Sequence, residues 1–185
     1  MNAERAQELK MVQNSVAMTV VLCSFGMLFA SLFLGYFILR SNSPVWPPVE
    51  IEGMPQLLPF ISTVFIVLSS VTYYFFEHKT FARKSFFIAT FVLGMLFLVS
   101  QWLLWGSLED TGIYVSDGMV PSMVYAFTWL HAAHVASAII LLGWLGYYVF
   151  ARTEKLTVIK MMNVGKFWHF LGIVWILMYL LIFVI

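Results

Sequence analysis

The chain has 185 residues, of which 62% are hydrophobic and only 10% charged, with a formal net charge of +1. A soluble domain carries roughly 25% charged residues, so a water-soluble globule is excluded, and nothing in the charge pattern suits nucleic acid. With so little sequence outside the apolar runs, residues 1–185 are expected to form one transmembrane domain with no separate soluble one.

Five apolar runs follow in chain order, about 16–39, 57–76, 85–106, 122–150 and 167–185. A hydrocarbon core about 30 Å thick needs about 20 apolar residues of α-helix, and each run reaches that length or comes within a residue of it. The expected fold is all-α, an integral membrane bundle of five transmembrane helices. The first run is too long for the h-region of a cleaved signal peptide, and Glu4 and Glu8 mix with the bases ahead of it.

Nine of the ten Lys and Arg residues fall on one side of these runs. Arg5 and Lys10 precede the first, Lys79, Arg83 and Lys84 separate the second and third, and Arg152, Lys155, Lys160 and Lys166 separate the fourth and fifth. Only Arg40 lies opposite. The positive-inside rule then predicts a cytoplasmic N-terminus and an external C-terminus. The first outer segment holds Pro44, Pro47, Pro48 and Pro55 around Trp46-Pro47-Pro48; fixed φ and missing donors predict a stiff, extended cap. The second, Ser107–Pro121, carries Glu109, Asp110 and Asp117 and no base. Cys23, alone within the first run, excludes an intrachain disulfide.

Helices in lipid associate through small residues that let backbones approach. Candidate packing faces are Ser24, Ser31 and Gly35 in the first helix and Thr90, Gly94 and Gln101 in the third. Ala126, Ala133 and Ser137 line up in the fourth, and Gly165, His169 and Gly172 in the fifth.

Ionisable groups inside a bilayer are costly, which makes His131, His134 and His169 the candidate functional residues. His131 and His134, spaced i, i+3, could offer two ligands, but no Cys, Asp or Glu joins them, and His169 lies at another depth. Neutral imidazoles hydrogen-bonding between helices are the favoured reading over a metal or haem site. No carboxylate lies within a helix interior, Glu77 coming nearest, and no nucleophile, base and acid can be assembled at one depth. The expectation is a chain without a catalytic residue or metal site of its own.

From Asp117 to Val135 the chain reads D-G-M-V-P-S-M-V-Y-A-F-T-W-L-H-A-A-H-V. This resembles a segment of haem–copper oxidase subunit III, with Asp117, Gly118, Ser122, Thr128, His131, His134 and Val135 in register. Phe167-Trp168-His169-Phe170 and Val174-Trp175 are similar to the family's last-helix motif. Trp46-Pro47-Pro48 and Leu93-Gly94 with Gln101 are weaker matches in the right order. The helix count is similar to the short five-helix bacterial form of a family that also has a seven-helix version. The chain departs from the pattern where the family carries acids. Phe25 stands at the first-helix carboxylate, Leu104 at a frequent Glu and Gly172 at the last-helix Asp, while Trp129 replaces a Gly.

The resemblance implies a non-catalytic subunit of a terminal oxidase that reduces O2 to water in a bacterial plasma (inner) membrane. Haems and copper belong to partner subunits I and II; this chain would hold none of them. It would pack chiefly against subunit I, meet subunit II and other respiratory-complex subunits, and hold phospholipid. The shed acids put any role in proton uptake in doubt and cast the motif residues as structural or interface groups. A subunit-III-like accessory protein of nitric oxide reductase is the alternative. A free-standing haem b protein or transporter is a third reading, which the missing intramembrane acids weigh against.

Overall fold

The computed structural model describes residues 3–44, 46, 51, 53–79, 82–151 and 154–184. Helix α1 spans Ala3–Asn42, α2 Leu57–His78, α3 Arg83–Asp110, α4 Met119–Ala151 and α5 Glu154–Tyr179, continued by a π-helical turn at Leu180–Val184. A 3-10 turn, Val115–Asp117, precedes α4. All five helices are long and apolar enough to cross a membrane, and the described residues contain no strand. The architecture is the all-α membrane bundle that the apolar runs predict. The helices outrun those runs because a helix need not stop where the hydrocarbon does. At 40 residues, α1 is about 60 Å long, twice the hydrocarbon thickness.

Helix α2 makes its most extensive contact with α3, and α5 touches α1, α2 and α4. The α2–α3 connection is tight. The Lys79 amide caps α2 by donating to Phe75 O at 2.9 Å, and Ala82 takes a left-handed φ of 57° to start α3. Arg83 then turns back over α2, its Nε donating to Phe76 O at 3.2 Å and its guanidinium lying 5.4 Å from the centre of the Phe76 ring.

Half of the spanning window of α5 is buried, against 6% for α1, so α5 is the central helix and α1 the peripheral one. Close approach at α5 rests on glycine. A Cβ on Gly94 of α3 would lie 2.7 Å from the Trp168 ring, and one on Gly172 would lie 3.1 Å from Ser70 Oγ. The small-residue faces of α3 and α5 do bury. Two other expected faces do not. Ser24 and Ser31 of α1, and Ala126, Ala133 and Ser137 of α4, are exposed. Aromatic rings fill the inward sides of these helices instead: Phe33 stacks on Phe127 at 5.3 Å, and Tyr36 meets Phe127 edge-on at 6.1 Å. The outward hydroxyls need no partner helix, since Ser24, Ser31 and Ser137 each donate to a carbonyl of their own helix.

Candidate functional site

In lipid a polar side chain must find its partner inside the protein, and α2 supplies most of those partners. Its hydroxyls Ser62 and Ser69, and Thr63 and Ser70, are spaced i, i+7 on adjacent faces. Trp175 Nε1 of α5 donates to Thr63 Oγ1 at 2.9 Å, and Trp168 Nε1 to Ser69 Oγ at 3.1 Å. From α3, Gln101 Nε2 donates to Ser62 Oγ at 3.0 Å, and Ser100 shares a 2.7 Å bond with the same hydroxyl. Farther along, Thr72 and Thr90 pair at 2.8 Å. The pattern repeats between α3 and α4, where Trp105 Nε1 donates to Thr128 Oγ1 at 3.1 Å. Gln101, Thr128, Trp168 and Trp175 therefore all act as interhelical ties. The α2 hydroxyls were not singled out from the sequence, though their i, i+7 spacing was the available signal.

The three intramembrane histidines have three different environments. His169 shares a 3.1 Å bond between Nδ1 and Ser70 Oγ, an interhelical bond of the expected kind, and meets the Tyr73 ring edge-on at 5.8 Å. His134 donates from Nδ1 to Leu130 O of its own helix at 2.6 Å. His131 is fully buried, and neither ring nitrogen has a hydrogen-bond partner. The expectation of hydrogen bonds between helices is thus corrected for two of the three. The reason is the wall that the α4 imidazoles face. Phe29, Phe97 and Trp175 surround His131 with ring centroids at 6.0, 5.8 and 5.4 Å. Phe25 meets His134 edge-on at 4.5 Å and stacks on Phe167 at 5.8 Å. Phe25 thus places an apolar ring directly against the His134 imidazole.

Asp117 and Gly118 begin α4. The Asp117 carboxylate accepts from the Tyr114 amide at 2.7 Å. Gly118 takes φ 142° and ψ −176°, a region that side chains avoid. Ser122 Oγ then donates to the Gly118 and Val115 carbonyls, both at 2.6 Å. Trp46 lies edge-on to Tyr36 at 5.6 Å with the Arg40 guanidinium 5.3 Å over its ring; Pro47 and Pro48 lie outside the described residues. At the departed positions, Leu104 is fully buried and Trp129 is exposed, its ring 5.0 Å from Trp105.

Chemically, the arrangement binds helices to one another. Ser70 and His169 form a hydroxyl–imidazole pair, but among the described residues no carboxylate is bonded to that ring, and mid-helix backbone amides have no donor free for an oxyanion. Among the described residues no three of His, Cys, Asp and Glu come together to hold a metal ion.

Comparison with known proteins gives consistent matches. The family model described as cytochrome c oxidase subunit III matches residues 5–185. A cytochrome c oxidase subunit 3 of Synechocystis sp. is 29% identical over 177 residues, 85% of this chain and 70% of that protein. A probable cytochrome c oxidase subunit 3 of Mycobacterium tuberculosis is 29% identical over 182 residues, 92% of this chain and 87% of its own length. The Lachancea kluyveri subunit 3 is 28% identical over 175 residues, and there the chain spans 62% of the relative's length.

Proposed function

This chain belongs to the cytochrome c oxidase subunit III family, and from that premise we propose that it stabilises the catalytic subunit I of a terminal haem–copper oxidase by packing against it in a bacterial plasma membrane. As a multi-pass subunit of an oxidase complex it meets other oxidase subunits. Haems and copper reside in partners I and II, and the family carries no metal centre of its own. One observation carries the structural role: the motif side chains chiefly bond neighbouring helices or their own, while Gln101 Oε1 and both His131 ring nitrogens are buried without a partner among the described residues. Gln101, Thr128, Trp168, His169 and Trp175 are ties between helices, while His131 faces only aromatic rings. The large exposed apolar surface of α1 and α4 supports a membrane partner, although lipid also covers such surfaces.

Phe25 favours one second reading. An enzyme that pumps no protons has less use for the family's first-helix acid, which fits a subunit-III-like accessory protein of nitric oxide reductase. A pull-down of the tagged chain in mild detergent, with a reduced-minus-oxidised spectrum, separates the two. The expected result is haem a- or o-type bands with a large oxidase subunit. A b- and c-type spectrum with reductase subunits would transfer the chain to the second reading, and haem retained by the isolated chain would overturn both.

A further inference from the structure

Helix α5 is held by α1 on one side and by α2 on the other. Toward α1, Phe167 stacks on Phe25 at 5.8 Å and Lys166 donates to Ser15 Oγ at 3.2 Å. Toward α2, Trp168, His169 and Trp175 bond Ser69, Ser70 and Thr63, and Gly165 and Gly172 lie against Glu77 and Ser70. Between the two flanks a strip of α5 stays open. Met162, Lys166, Ile173, Leu177 and Leu180 are exposed and His169 partly so, at the three- and four-residue spacing of one helix face. The central helix is therefore the floor of a groove flanked by α1 and α2.

One polar atom interrupts the apolar part of that floor. His169 lies about 14 Å along α5 from Lys160, where the span begins. Its Nδ1 is 3.1 Å from Ser70 Oγ, and Ser70 makes no other side-chain hydrogen bond among the described residues. A hydroxyl in lipid cannot leave its proton unshared without cost, so Ser70 donates and the neutral imidazole carries its own proton on Nε2. That N–H has no partner among the described residues, and it is not enclosed by them as the His131 nitrogens are. It opens on the groove at a depth where acyl chains offer no acceptor. We infer that one transmembrane helix of a partner subunit lies in this groove, with an oxygen-bearing side chain that accepts from His169 Nε2. Ile173, Leu177 and Leu180 are its apolar seat beyond that bond. The donor decides between occupants. Hydrogen bonds of this kind join helices in lipid, and lipid tails cannot make one. A second copy seated face to face would set one Nε2 donor against another. The inference rests on the reading of this chain as a subunit of a membrane complex, and it names the face on which the partner sits.

The test places p-benzoylphenylalanine at position 173 and irradiates native membranes that hold the assembled complex. The adduct should join this chain to one transmembrane peptide of a co-purifying subunit, with Ser, Thr, Asn, Gln, Asp or Glu within about a turn of the linkage. The same probe at Ile140, exposed on α4, should not label that peptide. Two variants then separate the outward bond from the Ser70 bond. His169→Asn keeps an acceptor where Nδ1 stood but is too short to reach the groove. His169→Gln reaches the place of Nε2 with an amide N–H. The Asn variant should lower retention of the partner about tenfold, the scale of one hydrogen bond between helices in lipid, and the Gln variant should retain it. Ile173→Trp fills the groove while leaving both histidine bonds, and should release the partner as well. An adduct with lipid alone or with a second copy of this chain, or equal retention by the Asn and Gln variants, would overturn the inference. A nitric oxide reductase subunit in the adduct would support this docking and overturn the oxidase reading instead.

Discussion

A buried polar atom without a partner costs about 1–3 kcal/mol, and His131 has two such atoms in a ring that is fully buried. If the residue only fills space among Phe29, Phe97 and Trp175, an apolar ring of similar size serves better. His131→Phe should therefore raise the stability of the purified chain by about 1–3 kcal/mol, measured by reversible unfolding in mixed micelles. A loss of stability would mean that the imidazole nitrogens are engaged, and the structural reading of this site would fail. The presence of His131, His134 and His169 in the membrane was legible in the sequence, because an ionisable residue stands out in an apolar run. Their environments were not. Whether an imidazole meets Ser70, its own Leu130 carbonyl or a cage of rings depends on helix rotation, which no single run encodes.

Between helices, the deciding variable is which small residues another helix actually reaches. Gly94 and Gly143 are both mid-helix glycines, yet a Cβ at Gly94 would meet the Trp168 ring at 2.7 Å while one at Gly143 would meet nothing within 4 Å. Trp168 is buried and tied to Ser69, so its ring has little room to move. Gly94→Ala should destabilise the chain by about 1–3 kcal/mol, the usual cost of overpacking. Gly143→Ala should be neutral or gain up to about 1 kcal/mol from helix propensity. The same unfolding assay checks both, and equal effects would show that the α3–α5 contact is looser than this geometry. Five spanning helices could be read from hydrophobicity alone, since run length in lipid has one cheap solution. Packing faces could not. Small residues at i, i+7 permit close approach without demanding it, as Ser24 with Ser31 and Ala126 with Ala133 show by facing outward.

Across the whole molecule the charges are sorted by end. Lys79, Arg83, Lys84, Lys160 and Lys166 gather where α2 meets α3 and where α5 enters its span, while Glu109, Asp110 and Asp117 lie at the opposite end. Each base near an anionic leaflet contributes about 1 kcal/mol, and a sum over several outweighs the single Arg40 on the far side. This sorting predicts that the basic end faces the cytoplasm, and a membrane-impermeant maleimide can test it. In a Cys23→Ser background, Ser116→Cys should be labelled in intact spheroplasts. Lys79→Cys should be labelled only after permeabilisation. The choice of background matters because Cys23 is exposed on α1, although within the span, where an aqueous reagent has poor access. The reverse labelling pattern would invert the bundle.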